Sequence, residues 1–159
     1  MFNIKKHILI LFVLFLTLNL QASYIKTVND DYITYDVKGK YSDISFTILD
    51  EIEQNGFIFA YRAKIGNALK KISSHYKKEA VFTNAEKIGF CKMSLTFEMM
   101  EINPNNIMYC PLSIAIYELK DKKDEIRIIY NLAKNLQKDE KIMNKVNQTV
   151  VKMIENSIQ

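Results

Sequence analysis

Ile107 to Tyr130 reads "IMYCPLSIAIYELKDKKDEIRIIY". Two runs rich in β-branched and aromatic residues flank "KDKKD", a charged stretch that no core would accept. Such a pattern predicts two neighbouring antiparallel strands, Ile107–Leu119 and Glu125–Tyr130, with residues 120–124 as the hairpin connection. Pro111 interrupts the first of them. A hairpin near the end of a chain, preceded and followed by helical periodicity, indicates an α+β domain and not a doubly wound parallel sheet.

Working outward, Tyr32–Val37 alternates with period two and reads as a strand. Ser42 is placed to cap a helix in which Ile44, Ile48, Leu49 and Ile52 share a face, and Gly56 is placed to end it. Phe57–Ala63 is rich in β-formers. Ile65–Tyr76 reads as a helix with Ala68, Leu69 and Ile72 inward. Ala80–Phe82 and Lys87–Lys92 read as two strands, the second carrying Cys91. Ser94–Ile102 is a short helix ended by Asn103-Pro104. Asp139–Ile158 is a long C-terminal helix with Ile142, Val146, Val150, Met153 and Ile154 on one face. Residues 23–31 are turn-prone and read as a loose leader. The expected product is one α+β domain: a largely antiparallel sheet, helices packed on it, and a long helix at the end.

The chain has 159 residues, 48% of them hydrophobic and 25% charged. That mixture suits a single domain with its own core. The first 22 residues stand apart. Lys5 and Lys6 precede the apolar run Ile8–Leu16, and Gln21-Ala22-Ser23 follows, which is the plan of a secretory signal cut after Ala22. The expectation is residues 1–22 as a signal peptide, residues 23–159 as the domain with its core at about 32–158, and export to the periplasm. The apolar run is short against the ~20 residues of a membrane span, so no membrane association is expected after cleavage. Loss of Lys5 and Lys6 leaves 22 − 2 = 20 basic residues against 18 acidic ones. A net charge of +2 and lysines that alternate with acids or sit in turns give no nucleic-acid footprint.

Several chemistries are excluded by count. One histidine, His75, remains after the signal, there is no glycine-rich phosphate loop, and Ser73-Ser74-His75 has no triad context. Asp50, Glu51 and Glu53, and the pair Glu98 and Glu101, read as solvated faces. Asn147-Gln148-Thr149 matches a glycosylation sequon inside a predicted helix. No catalytic residue is assigned, and the expectation leans against an enzyme.

Cys91 and Cys110 are the candidate functional groups. In an oxidising compartment they can pair, and closing the intervening 18 residues is worth about 3 kcal/mol on the chain-entropy model. Their separation is too great for a Cys-x-x-Cys redox motif. They are expected near one end of the sheet and close enough to interact. Cys91 is expected to be the more reactive, because Lys92 follows it and the helix from Ser94 points amides back at it. Met93 and Met108 add thioethers, so the alternatives are a disulfide, a thiol redox pair, a soft copper(I)-like site on Cys91, Cys110, Met93 and Met108, or simple core packing. No cofactor is otherwise expected. The leading functional expectation is an exported small-ligand-binding or accessory module. The alternative is a thiol-dependent redox or soft-metal protein.

The same stretch resembles the family called domain of unknown function 302. The matching parts are Cys91, the helix Ser94–Ile102, Asn103-Pro104, then Met108-Tyr109-Cys110-Pro111 and "LSIAIYE" to Glu118. "SFTILDEIEQNGFIFAYRAKIGNALKK" upstream is similar to the family's opening helix, Gly-Phe strand entry and next helix. Lys92-Met93 stand where family members often carry Asn-Pro, and Tyr109 stands where Pro often precedes the second cysteine. The resemblance covers about residues 32–158. It implies a compact α+β domain, a sheet with helices packed on it, often a homodimer, and no established reaction.

Overall fold

The computed structural model describes residues 24–134 and 140–159. The expected signal segment, residues 1–22, and Asp139 lie outside them. Six strands form one sheet: β1 (Tyr24–Val28), β2 (Tyr32–Lys38), β3 (Ile58–Ala63), β4 (Phe82–Cys91), β5 (Leu112–Leu119) and β6 (Glu125–Asn131). The helices are α1 (Tyr41–Gln54), α2 (Ile65–Ser73), α3 (Met93–Ile102), a 3-10 turn (Pro104–Tyr109) and α4 (Glu140–Ser157). Strand order is β1-β2-β6-β5-β4-β3, and every neighbouring pair is antiparallel. The α+β fold and the long C-terminal helix are as expected.

Alternation decides the faces. Ile33, Tyr35 and Val37 of β2, Ile126, Ile128 and Tyr130 of β6, Ile114 and Ile116 of β5, and Ile88 and Phe90 of β4 are all buried. They face one way because successive strand side chains point to opposite sides. Ile48 and Ile52 of α1, Leu95 and Met99 of α3, and Val146, Val150, Met153 and Ile154 of α4 complete the same core. Each such side chain, fully buried, contributes roughly 1.5–3 kcal/mol. Asn147 ties α4 to the sheet. Its carboxamide oxygen accepts from Tyr130 Oη at 2.8 Å and from the Ala133 amide at 2.9 Å, and its nitrogen donates to the Ala133 carbonyl at 2.9 Å.

Several expectations are corrected. Tyr24–Val28 is not a loose leader but an edge strand, paired with β2 from Tyr24↔Val37 to Val28↔Ile33. Ser42 does not cap α1; Lys40 stands at the cap without a side-chain bond, and Ser42 Oγ donates to Asp43 within the first turn. The two short strands expected across residues 80–92 are one strand, β4. The first expected hairpin strand starts at Leu112, because Pro104 at the first position and the Asn103 carboxamide, accepting from the Asn105 amide at 3.0 Å, wind residues 104–109 into the 3-10 turn. Ile107 is exposed there, against the expectation of burial. α2 ends at Ser73, and Leu69 and Ile72 point outward, not in.

Candidate functional site

β4 ends at Cys91, which pairs laterally with Ile58 of β3. Cys110 is two residues before β5, whose first ladder partner is Phe90↔Leu112. The sulfurs therefore stand where the chain leaves the sheet for α3 and where it returns. They lie 2.7 Å apart, both free and both half-buried. Thr96 Oγ1 of α3 is 3.9 Å from Cys110 Sγ. The sequence expectation that the two would meet at one end of the sheet is met.

Lys92 does not act as the expected activator of Cys91. Its ammonium donates to the Asn55 carbonyl at 2.8 Å and lies 5.5 Å from the centre of the Phe57 ring. Burial, then the hydrogen bond and charge of the Cys110 sulfur, push the Cys91 thiol up to about 12, with the Leu112 amide opposing. Cys91 is thus held as a protonated thiol, the reverse of the expected activated one. Met93 and Met108 are 59% and 66% exposed, so neither serves as core filler. Among the described residues no group of three or more His, Cys, Asp and Glu is placed to hold a metal ion.

The face of the sheet opposite α1, α3 and α4 has its own chemistry. One cross-strand row runs Ile25, Asp36, Arg127, Tyr117, Ala85 over five strands. Arg127 Nε and Nη2 donate to the two Asp36 oxygens at 2.5 and 2.9 Å, a bidentate pair. That bond is the main reason the Arg127 pKa is raised; burial opposes it, and the Asp36 charge and Tyr117 add to the rise. Two adjoining cavities of about 430 and 580 Å³ open on this row and share Tyr117 and Arg127. Tyr24 and Asp36 line the first, Tyr32 and Thr34 the second.

A third cluster was not foreseen from the sequence. Glu86 of β4 and Ser45 of α1 are 3% and 2% exposed. Glu86 accepts from Ser45 Oγ and from Arg62 Nε of β3, and Arg62 Nη2 donates to Ser45 Oγ at 2.9 Å. Burial opposes ionisation of Glu86, but Arg62, Ser45 and Tyr41 outweigh it and hold its pKa below the usual value. The Tyr41 phenol is pushed up, first by burial and then by Glu86. The signal was present: Glu86 shares the parity of Ile88 and Phe90, so an acid stands at an inward position. The acids singled out from the sequence do not converge. Glu98 pairs with Lys145, Asp50 accepts from Gln54, Glu51 accepts from Asn55, and His75 is exposed.

An antiparallel six-stranded sheet backed on one face by α1, α3 and α4, with a cysteine at each end of the α3 excursion, defines the class of fold. The family model for the domain of unknown function DUF302 matches residues 33–159. The chain belongs to that family. A crystal structure of an uncharacterised conserved DUF302 protein from Bacillus stearothermophilus is similar in fold, with a TM-score of 0.67 at 11% identity, covering 82% of this chain and 100% of that one. No curated protein matches the chain.

Proposed function

We propose that the protein is an exported accessory module that binds a small ligand on the open face of its sheet. The carrying observation is the pair of adjoining cavities that share Tyr117 and Arg127. Their volumes fall in the range of small-molecule sites, a few hundred to ~1,000 Å³. Asp36 occupies one edge of the Arg127 guanidinium and Tyr117 also bonds to it, so the hydrogens left over are what a ligand acceptor group would use, while tyrosine rings supply apolar area. The ligand class that fits is a small, partly apolar molecule with a carboxylate or carbonyl. Screening such molecules by the rise in unfolding temperature tests the reading, since a ligand that binds only the folded state raises it. Binding should vanish in Tyr117→Ala and Arg127→Gln and persist in Cys91→Ser. Ligands indifferent to Tyr117 and Arg127 would sink it. A homodimer goes with this reading, supported by the family resemblance and by the outer edges of β1 and β3, which no strand among the described residues pairs. A sedimentation mass of one chain contradicts it.

The 2.7 Å sulfur separation favours a second reading, thiol–disulfide exchange. Because Cys91 is held protonated, Cys110 takes the attacking role. Its thiolate breaks the disulfide of an oxidised partner and forms a mixed disulfide. The Cys91 sulfur, once deprotonated, then displaces the partner's second thiolate, so two electrons pass to the partner and the pair ends oxidised. The same two sulfurs are the soft donors of the copper reading. Trapping of a mixed disulfide by Cys91→Ser and not by Cys110→Ser supports exchange; trapping by neither removes it.

A further inference from the structure

From Lys64 to Lys78 the chain reads "KIGNALKKISSHYKK", with five lysines and no carboxylate. α2 lies within it, and of its nine residues only Gly66 is buried. Gly66 is the point of docking: a Cβ there would stand 2.7 Å from the Ala85 backbone nitrogen. At about 100° per residue, Gly66 and half-buried Ser73 mark the side toward the domain, and Ile65, Leu69 and Ile72 form a stripe turned roughly 90° away from it. These three are 38%, 37% and 47% exposed, and Tyr76, just beyond the helix, is 71% exposed. None of Lys64, Lys70, Lys71, Lys77 and Lys78 joins an ion pair among the described residues.

A helix this short is marginal alone in water, and an amphipathic stripe contributes only when something covers it. Here the domain covers it only in part and leaves more than a third of each of the three side chains in solvent. An apolar stripe beside unpaired lysines, ending in an exposed tyrosine, is the composition of a helix that lies in a membrane interface. A second copy of the chain is a poorer cover. A two-fold contact through α2 would set the five lysines of each copy against those of the other.

We propose that α2 and the segment to Lys78 form a docking surface for an anionic phospholipid bilayer, with Ile65, Leu69 and Ile72 entering the headgroup boundary and the lysines meeting lipid phosphates. The protein so bound is peripheral: no helix among the described residues is long and apolar enough to cross a membrane. This departs from the expectation of no membrane contact after signal cleavage, and it does not depend on the ligand or thiol readings.

The test is co-sedimentation of the whole processed protein with vesicles of phosphatidylcholine alone or mixed with phosphatidylglycerol. Binding is expected only to the mixed vesicles and should weaken in high salt. Lys70→Glu with Lys71→Glu should weaken it at least tenfold, since each lysine near such a surface is worth about fivefold. Ile72→Ser and Tyr76→Ser, which leave charge unchanged, should each weaken it severalfold. All four side chains are exposed, and matching unfolding curves confirm intact variants. Equal binding to both vesicle types, or indifference to the lysine pair, overturns the proposal. So does a two-chain mass in solution that Ile72→Ser abolishes and the lysine pair leaves unchanged, which assigns the stripe to self-association.

Discussion

Glu86, on an interior strand, and Arg62, on the sheet edge, meet beneath α1 through two hydrogen bonds, from Nε and, at 3.1 Å, from Nη2. Breaking a buried pair by removing one partner strands the other charge, at a cost of about 3–5 kcal/mol. Arg62 keeps a third of its side chain in water, so the low end applies, about 3 kcal/mol for Arg62→Ala. Adding Glu86→Leu should restore most of it. Urea unfolding of the three variants is the measurement.

The same carboxylate sets an acid dependence. Its folded pKa lies below the unfolded value, which is about 4.3. Its contribution is therefore present above that value and lost as pH falls through the lower folded one. In Arg62→Ala only burial, Ser45 and Tyr41 act on Glu86. The sign should shift toward a raised pKa, and the gap in stability between variant and wild type should narrow as the solution is acidified.

Oxidation should join Cys91 to Cys110 with little movement, from 2.7 Å to about 2.05 Å. The oxidised protein should be more stable than Cys110→Ser by about 3 kcal/mol, and the difference should vanish in reductant. Equal midpoints with and without reductant would mean that no disulfide forms.

In the reduced protein Cys91 should react slowly with iodoacetamide at neutral pH, because its thiol sits near 12. Two of the three raising causes come from Cys110, so Cys110→Ser should speed alkylation of Cys91. The raised pKa also carries a stability contribution that is complete below the unfolded value of about 8.5 and is lost as pH climbs toward the folded one. Reduced protein should weaken above that point more than Cys91→Ser does.

Asn147 matches a glycosylation sequon, yet its carboxamide is committed to Tyr130 and Ala133. Asn147→Ala should cost about 2 kcal/mol, from stranded buried partners. Heat denaturation followed by circular dichroism measures it. Asn147→Asp keeps the acceptor and loses the donor, so it should fall between.

Strands with clean alternation were legible: β2, β5 and β6 differ from expectation mainly at their ends. β4 reads as two strands because Asn84 and Glu86 break its apolar pattern, and the energy that holds Glu86 inside comes from Ser45 and Arg62, which are distant in sequence. β1 is hidden because Tyr24, Ile25 and Val28 sit among turn-prone residues, while what orders the strand is distant in sequence: pairing with β2, the Tyr24–Tyr35 ring contact and the Lys26–Glu155 ion pair. For α2 the helical period was readable, but the direction of its stripe was not. That direction is fixed by Gly66 against the Ala85 backbone, a contact no periodicity encodes. The meeting of Cys91 and Cys110 followed from their places at two strand ends; the turning of Lys92 toward Asn55 did not.

α4 is formed by the last residues of the chain, and Val146, Val150, Met153 and Ile154 on it are needed to close a core begun at Ile33. Loss of α4 would leave the inward side chains of β2, β5 and β6 open to water, so helix and sheet stand or fall together as one cooperative unit.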